Sequence, residues 1–310
     1  MALSQAQIDR IENLLRTTLR KKFADYKPKS GNMPFHTRLL GKDRMALFSF
    51  IQSLNTVFGI TIYEPVAVEL ASPRFKRVEK QMKVGDRITG DYPHLLRPHI
   101  WVAQALDNSI FGGEKQVQIS KMLRTLLFSD LWVITSRISE KAHEEIQNII
   151  DSLTTAESEP NKIEEIERIR RVCQSGKMAH VKLTQVDLFL EAVNGDVFLF
   201  DLKTVKPNAG NGREFKRTLL EWVAAILAQN PHTNITTALA LPYNPEHPNP
   251  YNRWTLRGML DVKNELFVAE EFWDFLGGKG AYEELLNAFE HVGTELRPEI
   301  DKAFAKYKEK

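Results

Sequence analysis

Residues 186–208, VDLFLEAVNGDVFLFDLKTVKPN, are the most apolar and strand-like stretch of the 310-residue chain, yet they carry Asp187, Asp201 and Lys203. Burying an ionised side chain without a partner costs on the order of several kcal/mol. Three such residues therefore either neutralise one another or hold something else.

Spacing narrows the choice. Residues two apart in a strand share a face, so Asp201 and Lys203 point the same way. Where Asp187 points depends on the connection between the two strands. A two-residue turn at Asn194-Gly195 places Asp187 opposite Leu202, facing away from Asp201. A three-residue loop, Val193-Asn194-Gly195 with Gly195 left-handed, places it opposite Asp201 with the side chains about 5 Å apart. At that distance two carboxylates repel, and one pKa rises unless a cation sits between them. The three-residue loop is the expectation, because it turns a buried electrostatic liability into a metal site. Carboxylate oxygens suit Mg²⁺, which keeps several waters and commonly takes one or two carboxylates plus a phosphate oxygen. A lysine on the same face stabilises charge at the phosphate or helps deprotonate an attacking water. Metal, lysine and phosphate together describe phosphodiester hydrolysis. A buried Asp–Lys pair of no catalytic meaning fits the same spacing, since D-x-K is a short pattern.

Outward from this stretch, the second half reads strand, strand, helix, strand, then helices to the end. HVKLTQVDLFLEA, DVFLFDLKTV and NITTALALPY are strand-like, and REFKRTLLEWVAAILAQ repeats apolar residues at helical spacing. The first half is mostly helical. Ser4 caps a helix to about Tyr26, and helical periodicity resumes over 36–57. Gly59 is expected to interrupt it, with a new helix opening at Glu64-Pro65. Residues 76–92 suggest a strand or hairpin around Gly85-Asp86, and 139–153 and 161–172 are the clearest later helices. The fold class is α/β, a mixed sheet flanked by helices. It divides into a mostly helical portion over 1–175, for clamping or dimerisation, and a core with C-terminal helices over 176–310, or forms one continuous domain.

The composition is 43% hydrophobic and 26% charged, ordinary for a globular protein. No apolar run suits a membrane span, no signal peptide is evident, and a lone Cys173 cannot form an internal disulfide. A cytoplasmic protein is expected. Net charge is only +2, so bulk charge does not announce nucleic acid. Basic residues nevertheless cluster: Arg16 to Lys29, Arg74 to Arg87, and Lys203, Lys206, Arg213, Lys216 and Arg217. Acidic ones concentrate in 140–167 and 265–300. Such segregation fits either a positive groove for phosphates or solvated helix faces.

Further candidates are weaker. Glu64 and Glu69, near the start of a helix, offer an extra acidic group or a solvated helix end. Glu221 fits an i,i+4 pair with Arg217. His36, His94 and His99 lack metal-ligand spacing, and Trp101, Trp222, Trp254 and Trp273 suit a core. Phosphate loop, dinucleotide fingerprint, Gly-x-Ser-x-Gly and zinc patterns are all missing, so no nucleotide cofactor is expected.

Asp187 followed by Asp201-Leu202-Lys203 resembles the PD-(D/E)XK nuclease motif, with valine where the motif's name has proline. "FDLKTVKPNAG", "FKRTLLEW", "LALPYNP" and "ELFVAEEFWDFLGG" together resemble TdeIII-type restriction endonucleases. "MPFHTRLLGKD" and "SLNTVFGITIYEPVAVELA" extend the likeness in patches over about 33 to 290. The resemblance implies a Mg²⁺-dependent type II enzyme that cuts double-stranded DNA at a short palindrome like GGNCC, acting as a homodimer. It maps the nuclease motif onto Asp187, Asp201 and Lys203, with Asp187 and Asp201 as metal ligands. Glu64 matches the helical glutamate that accompanies many such nucleases. Lys206, Arg213, Lys216 and Arg217 would grip the DNA backbone, and Asn252, Arg253 and Arg257 are candidates for reading bases. A repair or junction-resolving nuclease on the same core, or a DNA-binding module without catalysis, fits the chain as well, because fold does not fix function.

Overall fold

The computed structural model describes residues 2–26, 33–82, 137–181, 183–204, 207, 209–251 and 256–308. Ser4 opens the first helix, α1 (Gln5–Asp25), through a reciprocal capping box with Gln7. Helices α2 (Pro34–Leu40) and α3 (Lys42–Val57) meet at Gly41, whose φ of 87° breaks the helical path between them. The α-helix ends at Val57, as the expected break at Gly59 requires, and the chain bends there before a new helix opens at Glu64-Pro65. The chain winds on from α3 through a wide π-helical turn, Phe58–Tyr63, directly into α4 (Glu64–Ala71). The reason lies at Pro65, which has no N–H to donate and whose ring crowds the carbonyl four residues back. A wider turn just before it relieves that crowding.

Strand β1 (Arg77–Met82) comes next, so 77–82 is extended as expected; the hairpin expected around Gly85-Asp86, and His94, His99 and Trp101, lie outside the described residues. The described chain resumes with β2 (Arg137–Ser139), α5 (Glu140–Thr154), α6 (Lys162–Val172) and β3 (Met178–His180). Strands β4 (Val186–Glu191) and β5 (Val197–Leu202) are followed by α7 (Gly212–Gln229) and β6 (Ile235–Leu241). A short strand, β7 (Leu266–Val268), precedes α8 (Glu270–Gly277), α9 (Ala281–Glu295) and α10 (Arg297–Lys308). The pattern of helices to the end missed β7, because three residues are too few to establish an alternation.

Among the described residues the main sheet runs β1-β4-β5-β6-β7. β4 pairs antiparallel with both β1 and β5, whereas β6 lies parallel to β5 and β7 parallel to β6. The β5–β6 step needs a crossover, and α7 supplies it. Strands from both sides of residue 175 therefore share one sheet. Both faces are covered, which is why β4 and β5 read as nearly continuous apolar runs. On one face Leu199, Phe189 and Leu239 pack against Trp222 and Val223 of α7 and against α5 and α6. On the other, Phe200, Leu202 and Ala240 pack against Val66 and Leu70 of α4 and Trp273 of α8.

The basic stretch of α1 is used internally. Arg16 pairs with Glu12 and Glu295, and Arg20 with Glu299, tying α1 to α9 and α10. Among the described residues no single helix is long and apolar enough to cross a membrane.

The β4–β5 connection has the three-residue form. Leu188 faces Phe200 and Glu191 faces Val197. The loop closes with Ala192 N–H donating to the Asp196 carbonyl at 2.8 Å. Gly195 sits at φ 89°, with open space where a side chain would begin. A Gly195→Ala change should therefore cost about 1 kcal/mol from backbone strain alone, and Gly195→Asn less. Urea denaturation of the three proteins checks this order.

Candidate active site

The register decides the site. Ladder pairing of β4 with β5 stops at Leu188 and Phe200, one residue short of the two aspartates. Beyond that point the strands part. The Leu202 N–H donates instead to the Asp187 side chain, at 2.8 Å from Oδ2. Asp187 and Asp201 thus lie side by side at a splayed strand end, close enough for the charge of one to act on the other. Lys203 comes next on the same face, and its Nζ lies 2.6 Å from Asp201 Oδ1. Its ammonium also sits 5.1 Å above the Phe215 ring on the first turn of α7, which holds the flexible stem in place.

Glu64 arrives from the opposite layer. It begins α4 and is buried at 3% exposure. Gln81 Nε2 donates to Glu64 Oε1 at 2.7 Å and to Asp187 Oδ1 at 3.2 Å, so one amide spans the two carboxylates. Among the described residues Glu64 Oε2, which is buried, has no hydrogen-bond partner. The wide turn before α4 is held against this corner at Gly59, where an added Cβ would stand 2.8 Å from the Thr204 methyl. A side chain at Gly59 would force the Thr204 methyl, just after Lys203, to shift. Sequence reasoning missed Gln81 and Gly59. Nothing in the linear pattern sets β1 beside β4, although a lone glycine in an apolar helix is a signal of close approach.

Electrostatics reflect the crowding. Burial, then the charge of Asp201, push the Asp187 carboxyl up to about 7, and Glu64 adds to the effect. Burial raises Glu64 as well, against the pull of Gln81 and Lys80. Among the described residues no three His, Cys, Asp or Glu side chains form a metal cage on their own.

The remaining predicted residues divide. Arg213 and Arg257 are exposed. Arg217 is half-buried and donates to Gln147 Oε1 at 2.6 Å. Glu221 is half-buried and raised by burial while Arg217 draws it down, as their i,i+4 spacing suggests. Glu69 faces away to pair with Arg10 at 2.7 Å. Trp222 and Trp273 are core. Lys206, Asn252, Arg253 and Trp254 lie outside the described residues. Lys216 requires a correction. Its place beside the motif suggests a grip on phosphate, but its side chain is fully buried and forms ion pairs with Glu165 of α6 and Glu265. This position of α7 faces the seam between α6, α7 and the segment before β7, whereas Arg213 and Glu214 of the same turn are exposed.

Two outcomes are expected of the metal-free protein. With a folded pKa near 7 against an ordinary 3.8, Asp187 holds an extra proton in the folded state between those values. Its contribution is fullest below about pH 4 and is lost as pH rises through 7, by up to about 1.4 kcal/mol per unit. Denaturation in EDTA at pH 5 and 7.5 should show a steeper loss for wild type than for Asp187→Asn. Lys216→Ala should cost about 3 kcal/mol or more, by stranding two buried carboxylates. Unchanged stability with a shallower salt dependence of DNA binding would instead make Lys216 a phosphate contact.

Comparison with known proteins identifies related chains. A model of the HinfI type II restriction endonuclease family matches residues 3–130 and 108–293, in two overlapping stretches. The type II restriction enzyme HgiCII of Herpetosiphon aurantiacus is 28% identical over 145 residues, 46% of this chain and 52% of that protein. MjaII of Methanocaldococcus jannaschii, also a type II restriction enzyme, is 28% identical over 154 residues, covering 46% and 41%. HgiEI of Herpetosiphon aurantiacus is 25% identical over 143 residues. The chain spans about half the length of these curated relatives. With a mixed sheet flanked by helices and most of its length matched, the chain belongs to the HinfI family of type II restriction endonucleases.

Proposed function

We propose that this chain is a Mg²⁺-dependent type II restriction endonuclease. It hydrolyses both strands of a short palindrome in double-stranded DNA, acts as a homodimer, and works in the cytoplasm. The observation that carries the reading is the convergence of Asp187, Asp201 and Lys203 at one splayed strand end, with Glu64 alongside. By its resemblance to TdeIII-type enzymes, the target is a GGNCC-like site.

The donor set fits Mg²⁺. It offers hard carboxylate oxygens from two groups held close together, plus a buried Glu64 oxygen that has no hydrogen-bond partner among the described residues. With no closed cage of protein ligands among the described residues, water and a phosphate oxygen are left to complete the shell, as Mg²⁺ prefers. When bound, the ion would supply positive charge to the scissile phosphate and acidify a water.

The chain's own residues do the rest. Asp187 and Asp201 hold the cation, and Leu202 N–H fixes the orientation of Asp187. Lys203, steadied by Asp201 and Phe215, offsets charge as it builds on the phosphate and orients the attacking water. Arg213 and Arg217, on the first turns of α7 beside Lys203, contact the DNA backbone, with Lys206 as a further candidate. Arg257, Asn252 and Arg253 are the candidates for base edges.

Linear phage DNA, incubated with Mg²⁺ or EDTA, tests the reading. Discrete Mg²⁺-dependent fragments are expected, and Asp201→Ala should lower the rate roughly 10³-fold or more, the equivalent of several kcal/mol of lost charge stabilisation. A smear would point to a repair-type nuclease. Intact DNA that is still bound, with or without Mg²⁺, would leave a binding module.

A further inference from the structure

Gln81 sits in an unusual backbone conformation at the edge of this site. Its φ is 52°, a left-handed value that side-chain-bearing residues rarely adopt, one residue before the end of strand β1. The pairing of β1 with β4 keeps one register on both sides of it: Lys80 faces Leu188 and Met82 faces Val186. No residue has been inserted, so the distortion is confined to the residue directly across from Asp187. Such strain persists where surrounding structure over-determines it, and it clusters at functional sites.

The contacts account for the twist. The Gln81 side-chain amide reaches Glu64 Oε1 at 2.7 Å and Asp187 Oδ1 at 3.2 Å. Both partners are carboxylates, so it must be the NH₂ end that faces them. Its two hydrogens join an acid from α4 to an acid from β4. The Gln81 carbonyl is held in turn by Gln185 Nε2 at 2.6 Å, which anchors the twisted peptide. With Oε1 so tethered, Glu64 keeps a second buried oxygen that has no hydrogen-bond partner among the described residues.

We infer that Gln81 is a positioning residue, whose amide yokes Glu64 to the Asp187–Asp201 pair and so brings Glu64 into the cation-binding set. This rests on the metal-dependent reading above and adds to it a residue outside the nuclease motif. Gln81 itself touches neither DNA nor the reacting atoms; it acts through the two carboxylates. The left-handed backbone is what lets a strand residue turn its amide to span them.

Two substitutions separate this role from a purely structural one. Gln81→Gly suits the backbone and removes the amide. Gln81→Asn tolerates the left-handed conformation but is one methylene too short to span both acids. Calorimetric titration of Mn²⁺ into the DNA-free protein should show binding weakened about tenfold or more in each, the usual scale for losing an outer partner of a metal ligand. The Mg²⁺ concentration for half-maximal cleavage should rise in parallel, with the rate at saturating Mg²⁺ largely restored. If wild type cuts and both variants, folded by circular dichroism, bind Mn²⁺ as wild type does, Gln81 is only a strained strand residue and the inference is wrong. If wild type itself neither binds Mn²⁺ nor cuts, the functional reading fails and takes this inference with it.

Discussion

Two carboxylates pressed together at the end of a sheet are the constraint on which the rest of this structure depends. Asp187 and Asp201 repel, and burial strengthens the repulsion, so the neighbourhood is built to contain it. The Leu202 N–H turns from the ladder to one oxygen of Asp187, Gln81 takes the other, and Lys203 sits against Asp201. Each of these partners is itself placed by something larger. The three-residue loop sets the register, α7 supports the lysine, and the β1–β4 pairing presents Gln81.

The other buried charge cluster of the molecule makes a useful contrast. Lys216, Glu165 and Glu265 also collect ionisable groups in an apolar setting, between α6, α7 and the segment before β7. Lys162 lies near them, pulled down to about 8 by burial, and its ammonium donates to the Asn264 carbonyl at 2.8 Å. There the cation lies sealed among its partners, and its work is to join elements. At the strand end Lys203 remains 31% exposed, and a Glu64 oxygen has no hydrogen-bond partner among the described residues. Buried charges that answer one another hold a fold together, whereas those left incompletely answered at an accessible edge are poised to take a ligand.

Much of the fold is legible in the chain alone. Ser4 with Gln7, the continuous apolar runs of β4 and β5, and the amphipathic repeat of α7 are local signals, and each element forms where its pattern lies. The failures come where local evidence stops short or points the wrong way. Gly59 reads as a plain break, and nothing local shows the wide turn that follows α3 there or its close approach to Thr204. Lys216 looks like one more basic residue beside the motif, and only the packing of α6 against α7 shows where its side chain goes.

The sequence by itself determined the two strands of the hairpin and narrowed their register to two, a two-residue turn or a three-residue loop. The pairing in the folded chain takes the three-residue loop, which brings Asp187 opposite Asp201 and beside Lys203. Tertiary structure alone decided that Glu64 and Gln81 join them, and that Lys216 does not. Those outcomes depend on which strand lies beside β4, and on which helices cover each face of the sheet. They concern pairs of residues as far apart as 17 and 106 positions from Gln81. Contacts at that range arise from packing the whole chain, and no short window of sequence carries them.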